Sequence, residues 1–324
     1  MKKIGKKWMG LLCALVILVG CGGKQTETTT GIETTSLETE ANTTSLEMAS
    51  DKGAFYPVTV NGTDGEKVVL ETEPLRVVSV GPNITELIYS LGVEEKLVGR
   101  TEYCDYPEEV LSVDTIGTLY TPDIEKILSL EPDLVIASTH FREESKEQLE
   151  SVGISVLVLY EEAELEGVYR MIQTLGTAFN REETALEIVT DMQKRIAAVE
   201  EKVQEVEAVS VYYVVGYGDG GDYTAGGDTF IHEILTAAGG QNVAEEINGW
   251  SYSVERLLEV DPDVVILSEA DYAGFVETAP YSELRAVKEG RVYTIDTNML
   301  DRQCARNVDA IEEIARMLYP ELFS

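Results

Sequence analysis

Residues 121–138 read TPDIEKILSLEPDLVIAS, and residues 251–268 read SYSVERLLEVDPDVVILS. Seven of the eighteen aligned positions are identical, and most others exchange residues of like character. Each copy predicts the same unit: a short amphipathic helix, an acidic-Pro-Asp turn, and a continuous apolar run of the kind a strand buried on both faces requires. The copies are offset by 130 residues (255 − 125), too far for a solenoid period and right for two similar lobes. The match extends upstream, since NITELIYSLG at 83–92 repeats in pattern as TFIHEILTAAGG at 229–240.

Outward from the first copy, a hairpin is predicted over 56–73, then a buried strand at 76–80 and a helix that Asn83 caps, with Glu86 three residues on and Gly92 at its end. Strands at 134–138 and 154–159 alternate with helices at 121–130, 143–152 and 164–178, which implies a mainly parallel sheet covered by helices. The second lobe repeats this with strands at 209–215, 263–268 and 291–295 and helices at 229–238, 252–260 and 307–318. Between the lobes, Ala185, Val189, Met192, Ile196, Val199, Val203 and Val206 recur at helical spacing with no Gly or Pro between them. The stripe predicts one spanning helix over 181–206, about 39 Å long. The fold class expected is α/β, two Rossmann-like lobes with mainly parallel sheets joined by one long helix.

The amino terminus reads as an export signal. Lys2, Lys3, Lys6 and Lys7 precede an apolar run from Leu11 to Val19, too short for a comfortable membrane span. The run ends Leu18-Val19-Gly20-Cys21, a lipobox that predicts lipidation of Cys21 and anchorage at the outer face of a membrane. The expected division is a signal peptide at 1–20, a lipidated Thr-, Ser- and Glu-rich tether at 21–55, a first lobe at 56–180, an interlobe helix at 181–207 and a second lobe at 208–324. A net charge of −34 disfavours nucleic acid and anionic lipid surfaces as direct partners.

The paired motif carries a functional reading. Thr121 is the expected N-cap of the first short helix with Pro122 at its first position. Glu125 and Glu255 fall at matched positions near the two helix starts, off the apolar stripe and therefore exposed. A single Glu there is explained by the helix dipole; two, one on each lobe, form a two-point acidic pair.

With these motifs the chain resembles the lipid-anchored substrate-binding proteins of ABC importers that take cobalamin, haem and ferric siderophores. The resemblance covers residues 56–324. It implies a non-enzymatic module that holds a metal-chelate ligand between two lobes and docks on a permease dimer with its ATPase, Glu125 and Glu255 meeting permease arginines. Thr101-Glu102-Tyr103-Cys104-Asp105-Tyr106-Pro107 is similar to the Tyr-x-Asp-Tyr-Pro loop of the cobalamin binders, which makes Tyr103 an expected corrin contact. Trp250 matches a cleft Trp of those proteins, and Tyr223 opens the cleft-facing helix of the second lobe. Tyr217 suits a flat ligand as well. Asp301 to Arg306 occupies the place of an Arg-Pro-Gly-Pro-Arg-like stretch, without its Pro and Gly residues. Arg302 and Arg306 there suit either an anionic ligand group or a salt bridge within this acidic chain.

Other chemistry finds little support. His140 and His232 are the only histidines, and neither has a second His at ligand spacing. Motifs of the HExxH and GxSxG kinds are missing, and the Gly-rich run 216–227 lacks Gly-Lys-Ser/Thr, so turn chemistry accounts for it. Cys104 and Cys304 are too few for a cluster and are read as small side chains rather than a disulfide. No resident cofactor or protein-bound metal is expected.

Overall fold

The alternation of strand and helix begins after a short hairpin, Val58–Asn61 (β1) with Lys67–Leu70 (β2), paired antiparallel with Val58 opposite Leu70. The computed structural model describes residues 55–160 and 164–323. The expected signal peptide, nearly all of the tether and the expected lipidation site at Cys21 lie outside the described residues. Met1–Asp51 and Lys52–Ser324 are separate units of the chain, and every described residue belongs to the second.

The first lobe continues as Val77–Val80 (β3), Pro82–Ser90 (α1), Leu97–Arg100 (β4), Ile124–Ser129 (α2), Leu134–Ala137 (β5), Glu143–Ser151 (α3), Ser155–Val158 (β6) and Leu165–Ala178 (α4). Its sheet has the order β4-β3-β5-β6, parallel throughout. After Glu182–Val203 (α5), the second lobe runs Val209–Tyr213 (β7), Asp222–Tyr223 (β8), Phe230–Ala237 (α6), Gly240–Asn242 (β9), Ser251–Tyr252 (β10), Val254–Val260 (α7) and Val264–Leu267 (β11). It ends with Glu269–Glu277 (α8), Arg285–Lys288 (α9), Val292–Thr294 (β12), Asn298–Asp301 (α10) and Asn307–Leu318 (α11). Its main sheet, β9-β7-β11-β12, is also parallel. With β7 for β3, β9 for β4, β11 for β5 and β12 for β6, this is the first lobe's order repeated. The duplication seen in two helix-turn-strand motifs therefore reaches the whole sheet topology.

Both sheets are covered on both faces, and strand alternation assigns the side chains. Leu134 and Ile136 of β5 join one core cluster while Val135 and Ala137 join another; Val264 and Ile266 of β11 divide from Val265 and Leu267 in the same way. The acidic-Pro-Asp turn has one job in each copy. Glu131 and Asp261 take the left-handed conformation at φ 48° and 47°. The carboxylates two residues on, Asp133 and Asp263, accept backbone N–H bonds from Leu75 and Arg76 and from Ser210. Each turn thus pins the start of its own strand to the strand beside it.

Helix α5 has 22 residues, about 33 Å at 1.5 Å per residue. Its stripe from Ala185 to Val203 is buried in one apolar cluster that also holds residues of α4, α6 and α11. A Cβ on Gly176 would lie 2.5 Å from the Ala185 Cβ, so only glycine allows α4 and α5 to approach this closely. Arg195, on the flank of the stripe, donates to Glu312 at 2.9 Å and Asp309 at 2.6 Å on α11.

Three local expectations change. Helix α5 stops at Val203, so Val206 lies beyond it and is 36 % exposed. Asn83 is no cap: α1 starts at Pro82 after Gly81, and Asn83 is already inside the helix and buried. Helix α2 starts three residues later than expected; Asp123 is its N-cap, accepting from Lys126 N, while the Thr121 hydroxyl pairs with Thr118 and Pro122 precedes the helix. Asp123 corresponds to Ser253, the N-cap of α7, under the same 130-residue offset (253 − 123).

Candidate functional site

Parallel α/β sheets place ligands outside the carboxyl ends of their strands, where the backbone turns into loops. In the first lobe these ends lead to Gly81, to the loop 101–107 and to the segment 138–141. In the second they lead to the glycine-rich run, to the segment 243–250 and to the segment 295–306, which includes α10. The two sets meet at one cluster of charged side chains.

Glu86, one turn into α1, is 3 % exposed. It accepts three hydrogen bonds from the second lobe: from Arg302 at 2.9 Å and from Arg306 Nε and an Nη at 2.7 and 2.8 Å. Arg302 also meets Asp105 at 2.8 Å and donates to the Tyr103 carbonyl at 3.3 Å. Arg306 meets Asp296 at 3.0 Å and lies over the Tyr106 ring, 3.9 Å from its centroid. Burial works against both guanidinium charges, but the surrounding carboxylates outweigh it and push both groups above their usual range. Burial and the nearby Glu86 carboxylate push the Cys304 thiol well up, so it stays protonated. Of the two readings open for Arg302 and Arg306, the salt bridge is the one present, and it spans the lobes. Sequence reasoning placed Glu86 in a capping box and missed this role.

The predicted aromatic residues separate into two groups. Tyr103, Tyr223 and Trp250 are 47, 41 and 42 % exposed. The β8–β10 ladder brings Tyr223 and Trp250 together: Tyr223 is opposite Ser251, and Thr224 N donates to the Trp250 carbonyl at 2.8 Å. Gly226 and Gly227 make this approach possible, because a Cβ on either would collide with the Ile247, Gly249 or Glu245 carbonyls. The glycine run therefore serves close backbone contact as well as turns. Tyr217 instead packs edge-on against Phe275 and Tyr281, with centroids 5.2 and 5.3 Å away, and its hydroxyl donates to the Asp271 carbonyl at 3.3 Å. That packing holds the half-buried Tyr217 ring against the second lobe's own core. A further exposed pair escaped sequence reading: Tyr120 and His140, with ring centroids 5.0 Å apart and His140 held at φ 65°.

Glu125 and Glu255 are both exposed, each the second residue of its helix and two positions past a capping side chain. His232 lines a cavity of about 710 Å³ between α4, α5 and α6, with Nδ1 3.3 Å from the amide of Asn242, the last residue of β9. Cys104 and Cys304 are free and buried. Among the described residues no group of three or more His, Cys, Asp or Glu side chains is placed to hold a metal ion. Among the described residues, too, no helix is long and apolar enough to cross a membrane.

Two like lobes of parallel sheet, one spanning helix and aromatic loops at the facing strand ends define a bilobal binding protein. Residues 77–299 match the periplasmic binding protein family, and the chain belongs to that family. It is 32 % identical over 331 residues to the ABC transporter substrate-binding lipoprotein YvrC of Bacillus subtilis, covering 100 % of this chain and 99 % of that one. It is 28 % identical over 285 residues to a cobalamin-binding protein of Halobacterium salinarum, covering 83 % of this chain and 76 % of the relative. A crystal structure of a periplasmic heme binding protein from Pseudomonas aeruginosa superposes with a TM-score of 0.70 at 26 % identity, over 76 % of this chain and 94 % of that one.

Proposed function

We propose that this chain is an extracytoplasmic, lipid-anchored substrate-binding protein of an ABC importer, and that it captures a corrinoid between its lobes for delivery to a permease dimer with its ATPase. The observation that carries the ligand reading is the combination at the strand ends. Exposed aromatic side chains (Tyr103, Tyr223, Trp250) are available, while the nearby arginines are already neutralised by Glu86, Asp105 and Asp296. A broad macrocycle fringed with amides gains from aromatic contact. A ligand carrying several free carboxylates would find its cationic partners occupied. The cobalamin-binding relative points the same way. Glu125 and Glu255, one on each lobe, serve as the docking pair.

A ferric chelate is the second reading, favoured by Tyr120 and His140, two exposed side chains of metal-ligating type held together. The deciding experiment is a tryptophan-quenching titration with cyanocobalamin and cobinamide beside haemin and a ferric-siderophore panel. Saturable micromolar or tighter binding of the corrinoids alone supports the first reading. A response to an iron chelate alone overturns it and leaves the second.

A further inference from the structure

The Glu86 cluster joins residues 216 and 220 positions apart in sequence at the place where a bilobal binder would admit its ligand. Three of its features go together. The carboxylate is almost wholly enclosed, at 3 % exposure, whereas Arg302 and Arg306 keep 10 and 14 % of their side chains accessible. Arg306 presents both Nε and an Nη to Glu86, a two-pronged grip of the kind a guanidinium offers to any carboxylate, from protein or ligand. The same arginines hold the loop of Tyr103 and Tyr106, through the Tyr103 carbonyl and the Tyr106 ring.

We infer that Glu86 is a specificity-determining residue that acts as an internal anion: its carboxylate occupies Arg302 and Arg306, ties the lobes together, and denies the arginine pair to anionic ligands. The inference rests on the strand-end region being the ligand site. A ligand carboxylate can take the two-pronged grip of Arg306 only by displacing a buried Glu86, which would then lose its hydrogen bonds in an enclosed site, a costly exchange. A ligand without free carboxylates has no such exchange to make. Glu86 thus sorts ligands by charge without touching those it admits.

The test uses the full chain and three probes: cyanocobalamin, haemin with its two free carboxylates, and haemin dimethyl ester, which has none. Wild type is expected to hold haemin no more tightly than its dimethyl ester, absence of binding to both included. Tenfold tighter binding of haemin than of the ester overturns the inference with no variant required. Glu86→Gln keeps the shape and removes the charge, and it is expected to raise haemin affinity at least tenfold while changing affinity for the ester less than threefold. Glu86→Gln combined with Arg306→Gln should return haemin affinity to the wild-type level. A folded Glu86→Gln protein with unchanged haemin affinity overturns the inference. Failure of cyanocobalamin to bind wild type would instead overturn the corrinoid reading, and the comparison of haemin with its ester would still decide the role of Glu86.

Discussion

The Glu86 carboxylate and the Arg306 guanidinium lie 2.7 Å apart at closest approach, 220 residues apart in sequence and on opposite lobes. Breaking a buried ion pair leaves an uncompensated charge, which is why such pairs are costly to cut even where they add little net stability. Arg306→Ala removes two of the three hydrogen bonds donated to Glu86. It is expected to lower unfolding stability by about 3 kcal/mol. Arg316→Ala cuts a surface pair with Glu312 one helical turn away. That change should cost less than about 1 kcal/mol. Urea unfolding of the two variants checks the contrast, and equal losses would refute the enclosed, interlobe character of the first pair.

What the sequence made legible was whatever it states twice or states periodically. The helix-turn-strand units, the parallel sheets and the spanning helix follow from a 130-residue offset and from helical and strand periods, and Glu125 and Glu255 come with them. The interlobe cluster is written only once and over a long separation. Glu86 also satisfied a local capping pattern, so nothing nearby marked it as a long-range partner. The packing of Tyr217 against the second lobe's core was hidden for a related reason. Its partner Phe275 belongs to α8, a helix with a single buried side chain and Gly274 inside it, and so with little amphipathic signal to read.

Trp250 offers a direct optical test. The chain has two tryptophans, and the other, Trp8, falls in the expected signal peptide. In the mature protein Trp250 would be the sole reporter. Trp250→Phe removes that reporter, so its affinity is read by calorimetry, which should show a reduction of about tenfold, equivalent to about 1.4 kcal/mol. Unchanged calorimetric affinity would move the ligand away from the β8–β10 ladder.

The proposed docking pair, Glu125 and Glu255, separates transport from capture. Each is exposed, and the ion pairs of the described residues involve neither. Charge reversal, Glu125→Lys with Glu255→Lys, should reduce uptake in cells at least tenfold and leave corrinoid affinity and melting temperature unchanged within error, since substitutions at such sites seldom change stability by more than about 0.5 kcal/mol. Loss of ligand affinity in this variant would show that the pair serves the cleft rather than the permease.

Glu312 makes the attachment of α5 to the second lobe sensitive to acid. The hydrogen bonds from Arg195 hold its carboxyl below the usual glutamate range, more strongly than partial burial raises it. A folded-state pKa below the unfolded value, about 4.3, means that the unfolded chain binds the proton first as pH falls. The stabilisation is complete above that unfolded value and is lost as pH drops through the folded one. Melting temperatures recorded from pH 3 to pH 7 should therefore fall more steeply on the acid side for wild type than for Glu312→Gln, with the two curves converging at the lowest pH. Parallel curves would mean that the Arg195–Glu312 pair contributes nothing to the folded state.

Gly227 links backbone packing to the binding surface. A Cβ there would run into the Glu245 carbonyl, and the Gly227 N–H donates to the Ile247 carbonyl at 2.8 Å. Gly227→Ala forces these backbones apart and should cost about 1–3 kcal/mol of stability. The displaced segment leads directly to Trp250, so corrinoid affinity should fall more in this variant than in Gly153→Ala. Gly153, unlike Gly227, has positive φ, at +87°, and no atom lies within 4 Å of an added Cβ. Gly153→Ala thus reports backbone strain alone, and an equal loss of affinity in both variants would detach Trp250 from the ligand.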